Sequence, residues 1–168
     1  MGPEIVLTRD ELELGASAGV MRQIRRLEDG SVHRWGYAPT PELEWGNHVC
    51  AALAELAVAK ALGLYWADRP LPDVDGDIAA YFVRWTRHEH GGLILRREDK
   101  AERVYVLACG APPAFRLPGW ILAAEGQSER YLEALGHGRP RCYRVPQSAL
   151  HPIGTLRAAV ELGDRRPA

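Results

Sequence analysis

Cysteine is scarce. Cys50, Cys109 and Cys142 are the only three in 168 residues, an odd number set far apart. Such a set builds no disulfide framework, zinc ribbon or redox pair, and it fits a reducing compartment. Each lies in an apolar run and reads as packing. An excess of one charge is missing too. With 21 basic and 22 acidic residues the formal net charge is −1, which argues against a strongly basic nucleic-acid coat protein. A local basic face would still serve an enzyme that touches DNA. No run approaches the roughly 20 apolar residues of a membrane span. Met1 to Asp10 is charged by residue 4 and lacks the apolar stretch of a secretory leader. These absences predict a cytoplasmic protein without membrane contact. A Gly-rich phosphate loop, a G-x-S-x-G elbow and zinc-spaced His/Cys sets are absent as well, so several enzyme classes are disfavoured.

What is present is enough for one core. The length predicts a single domain over residues 1–168, and 46% hydrophobic with 26% charged residues is a globular balance. Thr8-Arg9-Asp10-Glu11 reads as a capping box. Leu12, Ala16, Val20, Ile24 and Leu27 then recur at helical spacing up to Gly30, giving an N-terminal helical segment over 8–30. Gly15 and Gly19 weaken that helix by about 1 kcal/mol each unless something packs closely there. Arg22, Arg25 and Arg26 lie mostly off its apolar stripe and read as a solvated face, with a DNA-backbone contact as the alternative.

Residues 30–46 carry Gly30, Gly36, Gly46, Pro39 and Pro41 among aromatic residues and read as an ordered loop. Asn47 is a good N-cap for a helix over His48–Leu62 that Gly63 closes. That helix is apolar on both faces and so predicted to be buried.

From residue 78 the pattern changes to strands: Ile78–Thr86, Leu93–Leu95, Val104–Cys109 and Phe115–Leu122. Short turns at His88–Gly92 and Asp99–Arg103 predict an antiparallel meander. A short helix over Ser128–Leu135, a strand over Cys142–Val145 and a C-terminal helix over 153–162 complete the reading. The fold class is α/β with an α+β leaning, a mostly antiparallel sheet flanked by helices.

Candidate chemistry starts at Glu55. A lone ionised carboxylate in a buried helix must be paired, protonated or bound to a cation; Lys60 or an arginine could pair it. Asp73, Asp75 and Asp77 alternate just before the Ile78–Thr86 strand and could converge on a divalent metal, although an Asp/Gly cluster is also how an ordinary turn looks. Arg84 could stabilise charge on a phosphate or pair with an acid. His88 and His90 flank a turn and read as solvated.

The order of a buried helical Glu, a Pro-Asp cluster, a strand carrying x-Val-basic and then a hairpin resembles the PD-(D/E)XK, or restriction-endonuclease-like, nucleases. Glu55 matches their helical Glu, Asp73 the literal Pro-Asp (Asp75 or Asp77 could take that place), and Phe82-Val83-Arg84 falls on their acid-x-Lys triplet. The stretches Glu55–Leu64, Val83–Thr86 and Val145–Leu150 also look like small proteins of actinobacterial phages and prophages. The likeness covers residues 44–153, with motifs of moderate specificity.

It implies a restriction-endonuclease-like core and a Mg²⁺- or Mn²⁺-dependent DNA endonuclease, or related phosphodiesterase, in the cytoplasm of a bacterial host. Glu55, Asp73, Asp75 and Asp77 would hold metal, Glu55 and Arg84 would be catalytic, and Arg84, Arg87 and His88 would meet DNA. A homodimer or a host protein are further partners to expect. Two positions depart from the pattern: Phe82 stands where an acid belongs, and Arg84 replaces Lys. They leave an alternative open, a degenerate nuclease-fold module that binds nucleic acid or a protein without cutting.

Overall fold

A computed structural model describes residues 2–30, 39–67, 76–134, 136 and 140–156. Strand β1 (Glu4–Val6) leads into helix α1 (Arg9–Glu28). The Thr8 hydroxyl accepts from Glu11 N–H, and the Glu11 carboxylate accepts from Thr8 N–H at 2.6 Å, so the capping box forms as expected. Helix α2 (Pro41–Leu62) starts six residues before the predicted Asn47 cap. Its N-cap is Thr40, whose hydroxyl accepts from Leu43 N–H, and Pro41 fits the first turn, where no amide partner is needed. Glycine and proline at 39–46 suggested a loop, but Gly46 sits inside the helix at a tolerable cost. Gly63 closes the helix in the left-handed conformation, with φ 66°.

The two helices pack against each other at their glycines. A Cβ on Gly15 would lie 2.5 Å from the Leu53 side chain, and one on Gly19 would lie 2.4 Å from Val49 Cα. The glycines that weaken α1 as an isolated helix are what lets α2 approach it. Ala52, Ala54, Ala57 and Val58 are fully buried, which is the all-round burial expected of α2.

Strands β2 (Tyr81–Thr86), β4 (Val104–Ala111) and β5 (Ala114–Leu122) join β1 in one sheet of order β1-β5-β4-β2. The meander prediction fails at its first hairpin. β2 runs parallel to β4, with Arg84 opposite Leu107, and β4 and β5 are antiparallel. Strand β3 (Leu93–Leu95) leaves the sheet and pairs with β7 (Cys142–Val145), which also pairs with β6 (Leu132–Glu133). Short turns alone therefore misled the topology: the segment between β2 and β4 is a crossover, as parallel pairing requires.

The period-2 alternation of β2 and β4 sends side chains into two cores. Tyr81, Val83, Val106 and Ala108 pack with α2. Phe82, Tyr105, Leu107 and Cys109 pack with Leu93, Leu95 and Val145 of the small sheet. Among the described residues the long helices lie on one face of the main sheet, and the second sheet covers the other. The fold is α/β, flanked by helices on one side only.

The expected helix at 128–135 is a 3₁₀ turn at Glu129–Tyr131 followed by β6, and Ile153–Thr155 is also a 3₁₀ turn. The rest of the predicted C-terminal helix lies outside the described residues. No helix among those described is long and apolar enough to cross a membrane.

Candidate functional site

Glu55 occupies the buried middle of α2, and α1 brings a cation to it. Arg22 lies one turn beyond Gly19. Its Nη1 donates to Glu55 Oε1 and its Nη2 to Oε2, both at 2.6 Å. Trp66 Nε1 donates to Oε2 at 3.2 Å. The Glu55 side chain is 9% exposed and that of Arg22 23%. Burial pushes the Glu55 carboxyl above its ordinary value; the Arg22 bonds and charge oppose this, and the Asp77 charge adds to it. Lys60, the other partner considered for Glu55, instead donates to Glu11 Oε2 at 2.7 Å and to the Val6 carbonyl at 2.9 Å.

Asp77 builds the start of β2. Its Oδ2 accepts from Val83 N–H at 2.8 Å, while Asp77 N–H and Ile78 N–H both donate to the Tyr81 carbonyl. Ala79, with φ 49°, makes the reversal. Burial pushes the Asp77 carboxyl up, against the pull of the Val83 amide and of the Arg84 and Arg22 charges. Both arginine charges are thus felt at Asp77, and Asp77 and Glu55 are within electrostatic reach of each other. Asp73 and Asp75 lie outside the described residues.

The donor chemistry bears on the expected Mg²⁺. A divalent cation needs carboxylate oxygens with free lone pairs in its direction, whereas both Glu55 oxygens are held edge-on by a guanidinium and one Asp77 oxygen by an amide. As arranged, these two residues do not fit a bound divalent ion. Among the described residues no group of three or more His, Cys, Asp or Glu side chains is placed to hold one.

Arg84 faces away from this pair, into the second core. Its Nε donates to the Ile94 carbonyl at 3.2 Å, and Nη2 reaches both Asp99 oxygens at 3.2 Å. The guanidinium lies 4.6 Å from the Tyr105 ring centre. Asp99 also accepts from Arg96 N–H at 2.8 Å, which makes it the keystone of the turn before β4. Burial, followed by the adjacent Asp99 carboxylate, pushes the Tyr105 hydroxyl up to about 12. Phe82 stacks on Tyr105 with ring centres 5.2 Å apart, under the Arg103 guanidinium at 4.5 Å. Phe82 and Arg84 thus form an aromatic-arginine stack with Tyr105, and Arg84 ties β2 to the small sheet.

Arg84, Trp85, Thr86, His88 and Arg144 line a small cleft of about 230 Å³. Arg87 lies 5.9 Å over the Trp85 ring. Burial, then the neighbouring Arg84 cation, lowers the Arg96 pKa, against the pull of Glu98 and Asp99. Of the predicted site residues, Arg84 and His88 line this cleft, Arg87 packs over the Trp85 ring, and the Asp77 charge is felt at Glu55.

Arg22, Trp66 and Gln147 were missed as partners. Arg22 had a readable signal, its place one turn beyond a pair of glycines. No family model, curated protein or solved structure matches the chain.

Proposed function

We propose that this chain is a nucleic-acid-binding module with a nuclease-like acidic pair that does not cut. The observation that carries this reading is the bidentate hold of Arg22 on Glu55. It neutralises the helical carboxylate with a protein cation, so no metal is needed to bury it. Phe82 and Arg84 support the same reading, since both are built into packing contacts. Arg84, His88 and Arg144, which line the small cleft, and Arg87, which packs over Trp85, are the proposed contacts for a phosphate backbone, with Trp85 as an adjacent aromatic face. Charge from Arg84 and Arg144 is partly satisfied by Asp99 and Glu133, so the binding should be weak and salt-sensitive.

A second reading keeps the Mg²⁺- or Mn²⁺-dependent endonuclease, and the Asp77 charge felt at Glu55 favours it. It requires Arg22 to leave Glu55 when nucleic acid and metal arrive. One experiment separates the two. Labelled single- and double-stranded DNA and RNA are titrated by anisotropy at rising salt, and the same mixtures are assayed for cleavage with Mg²⁺ and Mn²⁺. Binding that falls with salt and with Arg87→Ala, without cleavage, supports the module. Metal-dependent cleavage abolished by Glu55→Gln supports the endonuclease. Neither binding nor cleavage defeats both.

A further inference from the structure

On the other side of the 88–91 turn lies a larger cleft, of about 570 Å³. That volume is within the range of about 300–1,000 Å³ common for small-molecule sites. Its lining is mixed: Pro3, Pro118, Leu150, Pro152 and Ile153 are apolar, while Arg116, Gln147, Ser148, His90 and Glu89 bring polar groups.

Arg116 and Gln147 are fixed before any ligand arrives. Gln147 Nε2 donates to the Glu89 carbonyl at 2.7 Å and the Gly91 carbonyl at 2.9 Å. Arg116 Nη2 donates to Gln147 Oε1 at 3.0 Å and to the Glu89 carbonyl. These acceptors are neutral. No carboxylate among the described residues lies within ion-pair distance of Arg116, and its buried Nε–H has no acceptor. A half-buried guanidinium whose charge meets no anion is costly unless a ligand supplies one. Arg84 and Arg144, by contrast, have the Asp99 and Glu133 carboxylates against them; Arg116 has only carbonyl oxygens.

We propose that this cleft binds a small amphipathic organic anion, a carboxylate or a phosphate monoester with an apolar body. The head pairs with Arg116, within reach of the Ser148 hydroxyl, and the body lies along Pro118, Leu150 and Ile153. A charge-assisted contact with a preset guanidinium is strong for its size, and the apolar lining adds burial that a bare inorganic ion cannot use. The site is independent of the nucleic-acid reading.

The test uses decanoate and phenyl phosphate as the two probes, with decanol and benzyl alcohol as their neutral counterparts. Binding is read from amide and arginine Nε–H shifts in ¹⁵N-labelled protein. Saturable shifts at the Arg116 Nε–H and at residues 89–91 and 147–154, for either anion but not its neutral counterpart, are expected. Whichever anion binds more tightly identifies the head group. Arg116→Gln should weaken the anion by about tenfold or more, the usual scale for one charged hydrogen bond. Because that variant could disturb the 88–91 turn, Ser148→Glu serves as a second one. Residue 148 is exposed, so the fold should survive while the added charge repels the head. Neutral counterparts binding as well as the anions, anion affinity indifferent to both variants, or no shift at millimolar concentrations of either anion would each overturn the proposal.

Discussion

The Arg22 guanidinium and the Glu55 carboxylate meet edge to edge, with two hydrogen bonds of 2.6 Å each, across the contact between α1 and α2. Removing one member strands the other. Arg22→Ala should therefore destabilise the protein by about 3 kcal/mol, the usual order for breaking a buried pair from one side. Replacing both together, as Arg22→Met with Glu55→Leu, should recover most of that loss, because no charge is left buried. Urea unfolding of the two singles and the double gives the coupling energy; a double variant no better than the sum of the singles would contradict the pairing.

Gly19→Ala sets two effects against each other. Helix propensity alone predicts a gain of about 1 kcal/mol. Packing predicts a loss, since the new methyl would meet Val49 Cα at 2.4 Å and the His48 carbonyl oxygen at 2.8 Å, and backbone cannot step aside as a flexible side chain can. Packing should win, with a net loss of about 1–3 kcal/mol, the cost of forcing extra atoms into a filled core. Thermal unfolding checks the sign.

Asp77 gives a pH signature. Burial raises its folded-state pKa above the ordinary value of 3.8. The folded state therefore holds this proton more tightly than the unfolded chain does. The resulting stabilisation is complete below the unfolded value and is lost as pH rises through the folded value. Asp77→Asn keeps an oxygen for Val83 N–H but removes the titration. The stability of wild type relative to Asp77→Asn should accordingly grow as pH falls from neutral toward 4. A flat difference over that range, measured by denaturant titration at each pH, would rule out the raised carboxyl.

Arg84→Lys should loosen the link between the sheets. Lysine cannot reach the Ile94 carbonyl and both Asp99 oxygens at once, nor lie flat on Tyr105. A loss of about 1–2 kcal/mol is expected, the scale of a charged hydrogen bond, with faster amide exchange in β3. If Arg84 served only a solvent-facing ligand contact, exchange in β3 would not change.

Local rules in the sequence were reliable where chemistry is local. The Thr8 capping box, the Gly63 stop and the buried middle of α2 all follow from spacing and propensity. Glu55 was legible as a buried acid in need of a partner. Which cation answers it was not, because Arg22 is 33 residues away and reaches it only through a helix crossing that depends on two glycines. The topology failed for a similar reason. β3 carries the apolar composition of a hairpin strand, but its partner is β7, about fifty residues later in the chain, and nothing near Leu93 announces that. The boundary of α2 was lost to Pro41 and Gly46, whose composition looks the same in a loop as in a capped first turn and a tolerant helix.

Gln147 sets an order of assembly during synthesis. The 88–91 turn emerges from the ribosome long before the residue whose amide holds its Glu89 and Gly91 carbonyls. Helices α1 and α2 and the β2-β4-β5 pairing involve only residues that come earlier, so they can dock while the chain is still being made. The rims of both clefts wait for the segment around residue 147. A nascent chain stopped before it would hold every strand of the main sheet and neither finished cleft.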